Sequence, residues 1–201
     1  MRSFKYIREC GPNFVIFACL ELIMNPELTP TDNLIVPKVI EALNAAIGDV
    51  NSRYGISRKI SSSVWINILL EHLSSTGKSL AYDVSSLVGD VNSSWQYAMI
   101  WKDNSTGDSP LVVECAWSRE YLDIRDMFEK LLRANSRLRL IITYGGESDK
   151  DKERSLVSIV KLKKHVEFSG LSEKGECFLF ATIMRDSNSK YGFEYEYVEK
   201  Q

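Results

Sequence analysis

Ser109-Pro110-Leu111-Val112-Val113-Glu114-Cys115-Ala116-Trp117-Ser118 reads as a short buried strand that carries a single carboxylate. Leu111, Val112 and Val113 are apolar and two of them are β-branched. Pro110 and the turn-like Asn104-Ser105-Thr106-Gly107-Asp108 precede them. Period-two geometry puts Val112, Glu114 and Ala116 on one face and Val113, Cys115 and Trp117 on the other. From Arg119 to Ala134 the period becomes helical, with Tyr121, Ile124, Phe128, Leu131 and Leu132 at three- and four-residue steps. A second apolar strand, Leu138 to Tyr144, stops at Gly145-Gly146. This strand–helix–strand unit predicts a right-handed parallel crossover at the centre of an α/β domain.

Upstream, Trp95 to Trp101 alternates as a strand, and Leu80–Val88 is another, ended by Gly89-Asp90. Two helices precede them. Leu34 to Val50 carries the stripe Ile35, Val39, Leu43, Ala46, Ile47 and Val50, and a loop is expected over Asn51–Lys59. Val64 to Leu73 is capped by Ser61-Ser62-Ser63 and closed by Ser74 to Gly77. Residues 1–25 read as one amphipathic or buried element. Downstream, Glu147 to Glu153 is a charged loop or helix start and Ser155–Lys164 a helix. Strands Cys177–Met184 and Gly192–Val198 pair across the Asp186–Lys190 turn. The expectation is one domain over 1–201: a helical part over about 1–76, then an α/β core over about 77–201 with a central mixed sheet flanked by helices.

The 201 residues suffice for one full core, and 44% hydrophobic with 26% charged residues is ordinary globular composition. A formal net charge of -2 argues against strong non-specific DNA binding, though not against a local basic groove. Cys10, Cys19, Cys115 and Cys177 form no CxxC pair. With only His72 and His165 beside them, a zinc site is not expected, and free thiols in a reducing compartment are. The apolar run Phe14 to Met24, broken by Glu21, is too short for a bilayer core of roughly 30 Å. A soluble, intracellular protein with no membrane contact is therefore expected. The sequence sets no oligomeric state, and a homodimer is compatible with it.

The two strands Trp95–Trp101 and Leu111–Trp117, followed by a helix and another strand, resemble the core of the PD-(D/E)XK, or restriction-endonuclease-like, nuclease superfamily over roughly residues 70 to 145. Leu111-Val112-Val113-Glu114-Cys115-Ala116-Trp117 is similar to the strand bearing that family's second carboxylate. The resemblance implies a metal-dependent nuclease that hydrolyses phosphodiester bonds of DNA or RNA, with Mg²⁺ or Mn²⁺ held by carboxylates. Glu114 matches the second acid, Asp90 is the choice for the first with Asp83 as its substitute, and Glu71 matches an acid on the preceding helix. Asp90 and Glu114 are then the catalytic pair, and Glu71, Asp90 and Glu114 the metal ligands. The chain departs from the pattern in one place: where the family carries a lysine two positions after the second acid, Ala116 stands here. Lys102, Arg119 and Lys130 are candidates to supply that basic group from elsewhere.

Each residue also has a plainer role open to it. Glu114 can pair with Arg119 or Arg139, Asp90 can be a turn residue after Gly89, and Glu71 a solvated helix residue. The aromatic row Trp95, Tyr97, Trp101 and Trp117 can be core or a base-stacking platform. The arginines at 119, 125, 133, 137 and 139 can line a phosphate groove or be balanced by Asp123, Asp126 and Glu129. The alternative function is thus a catalytically inactive member of the fold that binds nucleic acid or a protein partner. An unrelated α/β binding protein is the third reading. Phosphate-loop, dinucleotide and hydrolase-elbow motifs are absent.

Overall fold

Continuous apolar runs organise the sheet. The computed structural model describes residues 32–55, 60–87, 97–187 and 189–200. In chain order its elements are α1 (Asp32–Tyr54), α2 (Ser62–Ser79), β1 (Asp83–Ser86), β2 (Met99–Lys102), β3 (Leu111–Ala116), α3 (Tyr121–Leu132), β4 (Leu138–Tyr144), α4 (Asp149–Phe168), β5 (Cys177–Arg185) and β6 (Tyr191–Glu199). The six strands form one mixed sheet in the order β1-β2-β3-β4-β5-β6. β3, β4 and β5 run parallel, and the outer pairs β1/β2, β2/β3 and β5/β6 are antiparallel. β3 is buried along its whole length and β4 and β5 nearly so, as central parallel strands covered on both faces must be. The parallel crossover read from Leu111 to Tyr144 is present, and β4 has the bounds the sequence predicts.

Alternation divides the core between the two faces. Leu111, Val113 and Cys115 of β3, with Leu140, Ile142, Leu179 and Ile183, pack under α1 and α2. Val112 and Ala116, with Ile141, Phe178 and Phe180, pack under α3 and α4. Phe128 of α3 sits against both Phe178 and Phe180, at ring-centroid distances of 5.9 and 5.6 Å.

The helices run further than local signals suggest, for tertiary reasons. Gly77 does not close α2. Instead it lets the helix lie against the sheet: a Cβ there would come within 2.7 Å of both Trp101 Cε2 and Val84 Cγ2. Gly77→Ala is therefore expected to lower stability by about 1–2 kcal/mol in urea unfolding, the overpacking outweighing alanine's better helix propensity. α1 continues through Asn51, whose side-chain amide both donates to Tyr191 O and accepts from Tyr191 N, each at 3.0 Å. That pairing fastens the helix end to the start of β6, so Asn51–Tyr54 are helical where a loop was expected, and 56–59 lie outside the described residues. α4 starts at Asp149 rather than Ser155 because Ser148 caps it. The Ser148 hydroxyl accepts from Asp151 N at 3.1 Å and donates to Asp151 Oδ2 at 2.7 Å. The element read over residues 1–25 lies outside the described residues, as do Cys10 and Cys19. Among the described residues, no helix is long and apolar enough to cross a membrane.

Candidate functional site

Glu114 faces α3. Because β3 alternates, its carboxylate leaves the α1/α2 side and enters the layer occupied by Val112 and Ala116. The parallel crossover then returns α3 antiparallel to β3, so residues late in the helix come back level with the middle of the strand. Lys130 is such a residue. Its Nζ donates to Glu114 Oε1 at 2.5 Å, with the Glu114 side chain 7% and the Lys130 side chain 41% exposed. An isolated carboxylate at that depth is costly, and the ammonium of the partly exposed Lys130 offsets the cost. Burial pushes the Glu114 carboxyl above its ordinary range, and Lys130 pulls only partly against it. Tyr97 completes this corner. Its hydroxyl donates to Lys130 O at 3.3 Å, and burial, reinforced by the Glu114 charge, raises its phenol above the usual value.

Of the three candidate basic groups, Lys130 is therefore the one that reaches Glu114. Arg119 stands at the other end of the crossover, 4.0 Å from Asp151. Lys102 is exposed and sits opposite Asp83 in the β1/β2 register. Arg139 does not pair with Glu114 either: it is buried, with Nε and Nη2 on Ala134 O and Nη2 also on Glu176. Arg125 pairs with Asp126 and Glu129, and Arg137 with Asp108, so much of the basic crossover is balanced locally.

The other predicted acids are placed as follows. Glu71 is exposed on α2, whose buried side joins the core on the opposite face of the sheet from Glu114. The layers thus do not bring Glu71 and Glu114 together. Asp83 opens β1 at the far end from Glu114, level with Lys102. Asp90 lies outside the described residues. Leu87 N donates to Ala98 O at 3.1 Å, and Met99 faces Val113, so Leu87, Ala98 and Glu114 stand in one row across the sheet.

The aromatic residues do not form an open stacking platform among the described residues. Trp101 is fully buried, Tyr97 nearly so, and the half-buried Trp117 stacks on Tyr144 at 6.2 Å and 9°. Trp95 lies outside the described residues. Cys115 and Cys177 are free and buried, and burial lifts the Cys115 thiol well above its ordinary value, which makes it inert packing.

Carboxylate oxygens are the donor type that hard divalent cations take. Among the described residues no group of three His, Cys, Asp or Glu side chains could hold a metal, and Glu114 is the single acid at this corner. Comparison with protein-family models, with curated proteins and with solved structures finds no match to this chain.

Proposed function

We propose that the chain is a divergent PD-(D/E)XK-like protein that hydrolyses phosphodiester bonds of DNA or RNA with Mg²⁺ or Mn²⁺. The element order α2-β1-β2-β3-α3-β4, with an acid on the third strand facing the crossover helix, supports this reading. The observation that carries it is the contact of Lys130 with Glu114. It returns to the acid the lysine that Ala116 denies it, from the helix rather than from the strand. Glu114 and Asp90 are the metal ligands in this reading, and Glu71 stands apart on the other face. A divalent cation bound there would polarise the phosphate and acidify its own water. Glu114 supplies one oxygen donor from a rigid, buried strand. Lys130, whose side chain is partly exposed, would offset the charge that develops on the phosphate oxygens. Tyr97 steadies the backbone from which Lys130 projects. The free thiols Cys115 and Cys177 suit a reducing, intracellular setting.

A second reading has its own observation. In the described residues the ion pair is closed and no further acid joins it, as in a fold that has kept the pair for stability and binds nucleic acid or a protein without cleaving it. Incubation of single- and double-stranded DNA and RNA with the protein and Mn²⁺ separates the two. Cleavage by wild type and by Glu71→Ala, but not by Glu114→Gln, is the expected result. Intact substrates in every lane leave the binding reading.

A further inference from the structure

The outer face of α4 mixes apolar and charged side chains in one stripe. Phe168, Val157 and Val160 are 83%, 48% and 39% exposed. They share that stripe, at steps of three and four residues, with the exposed Glu153, Arg154, Lys164 and Glu167. Ile159, Leu162 and Val166 point the other way, into the core between helix and sheet. Large apolar side chains exposed in a row mark a contact with another molecule. None of the four charged side chains is ion-paired among the described residues, whereas on the same helix Lys152 pairs with Asp149 and Lys163 with Glu196.

The order of these residues selects what fits them. Arg154 and Glu167 are equally far from the midpoint between Val160 and Lys161; so are Val157 and Lys164, and Glu153 and Phe168. A second α4 laid antiparallel across that midpoint sets Arg154 of each copy beside Glu167 of the other. It also brings Lys164 of each within one turn, about 6 Å along the axis, of Glu153 of the other. Val157 and Val160 of both copies then meet in the middle, under the alkyl stems of Lys164. Parallel pairing would set Arg154 on Arg154 and Lys164 on Lys164, so the charges favour the antiparallel arrangement. Lys161, the remaining cation near the centre, is turned aside: its Nζ sits over the Tyr121 ring of α3, 4.8 Å from the centroid.

We propose that the outer face of α4 is a two-fold contact between two copies of this chain, antiparallel about Val160 and closed at both ends by Arg154–Glu167 pairs. Two-fold symmetry makes every favourable pair twice. α4 has twenty residues and is about 30 Å long, and a seam of one helix buries less than a standard interface, so the dissociation constant is expected on the order of 100 µM. The contact uses neither Glu114 nor Lys130, so it stands or falls separately from the hydrolytic reading.

The test is sedimentation equilibrium of the full chain over loading concentrations that bracket that value. A reversible monomer–dimer equilibrium is expected, and Glu114→Gln should leave it unchanged. Arg154→Glu and Glu167→Arg should each weaken it roughly tenfold, since each turns two attractive pairs into two repulsive ones. Both residues are exposed, so the circular dichroism of the variants should match wild type. Mixing the two variants should restore association to within a few-fold, because a mixed dimer has opposite charges facing each other at both ends. A wild-type chain that stays monomeric at the highest loading overturns the proposal and leaves the face to a partner of different sequence. Dimers that either substitution leaves intact, or a mixture that stays monomeric, overturn it as well.

Discussion

Lys130→Met is expected to tighten Mn²⁺ binding at alkaline pH and at the same time to slow phosphodiester hydrolysis about 10²–10³-fold, the usual cost of removing one group that stabilises transition-state charge. The opposite signs follow from one contact. In the free protein the Lys130 ammonium occupies the Glu114 oxygen, 2.5 Å away, that a cation needs, so binding has to displace it. Methionine fills a similar volume without competing for the carboxylate. The same substitution removes the only cation placed on Glu114 among the described residues, so the proposed reaction would lose the charge that meets the phosphate. Calorimetry and a cleavage assay on the same preparation check both halves. Weaker Mn²⁺ binding with unchanged cleavage would mean that Lys130 merely holds Glu114 in place.

The second large effect is on stability, and its pH dependence carries the information. Removing one partner of a fully buried ion pair costs about 3–5 kcal/mol. Lys130 is 41% exposed and water shares its role, so Lys130→Met is expected to cost about 2 kcal/mol at neutral pH. Glu114 already titrates above its ordinary value in the folded state because burial disfavours its charge. Between its unfolded and its folded pKa the native state therefore holds more protons than the unfolded chain, and stability falls as pH rises through that window. Loss of Lys130 moves the folded value further up and deepens the fall. The variant should converge on wild type as pH falls below the ordinary carboxylate range, where the carboxyl is protonated in both states, and diverge from it as pH rises. Glu114→Gln abolishes this titration, and its curve should lack the fall with rising pH that wild type shows. Urea unfolding of the three proteins at a series of pH values gives the curves. Parallel curves for wild type and Lys130→Met would contradict a buried, charge-dependent pair.

Much of this corner is legible in the sequence because strands declare their faces. Glu114 alternates with Val113 and Cys115, and that alone puts it on the face opposite theirs, with Val112 and Ala116. β4 is legible to the residue because Leu138–Tyr144 is an unbroken apolar run ended by two glycines. Choosing Lys130 over Arg119 and Lys102 needs a step that spacing along the chain hides. A crossover helix runs back along its strand, so its last turn, not its first, comes level with the strand's middle. The helix ends that differ at Gly77 and Asn51 have a common cause in tertiary contacts. Gly77 looks like a stop signal until Trp101 is set against it, and Asn51 looks like a loop residue until Tyr191 takes its amide. Ser148 carries a local signal, a serine three residues before an acid, and of the loop or helix start open over Glu147–Glu153 the structure shows the helix start. The spatial relation of Glu71 to Glu114 was not readable at all, since nothing in a helix sequence tells which face of the sheet it will cover.

The most direct measurement of the central claim is calorimetric titration of Mn²⁺ into the wild-type chain and into Glu114→Gln at alkaline pH. The account predicts stoichiometric binding by wild type that the substitution abolishes while the protein stays folded. Equal binding by both, or none by wild type, would contradict a cation site at Glu114 and leave the Glu114–Lys130 pair as part of a binding protein's core.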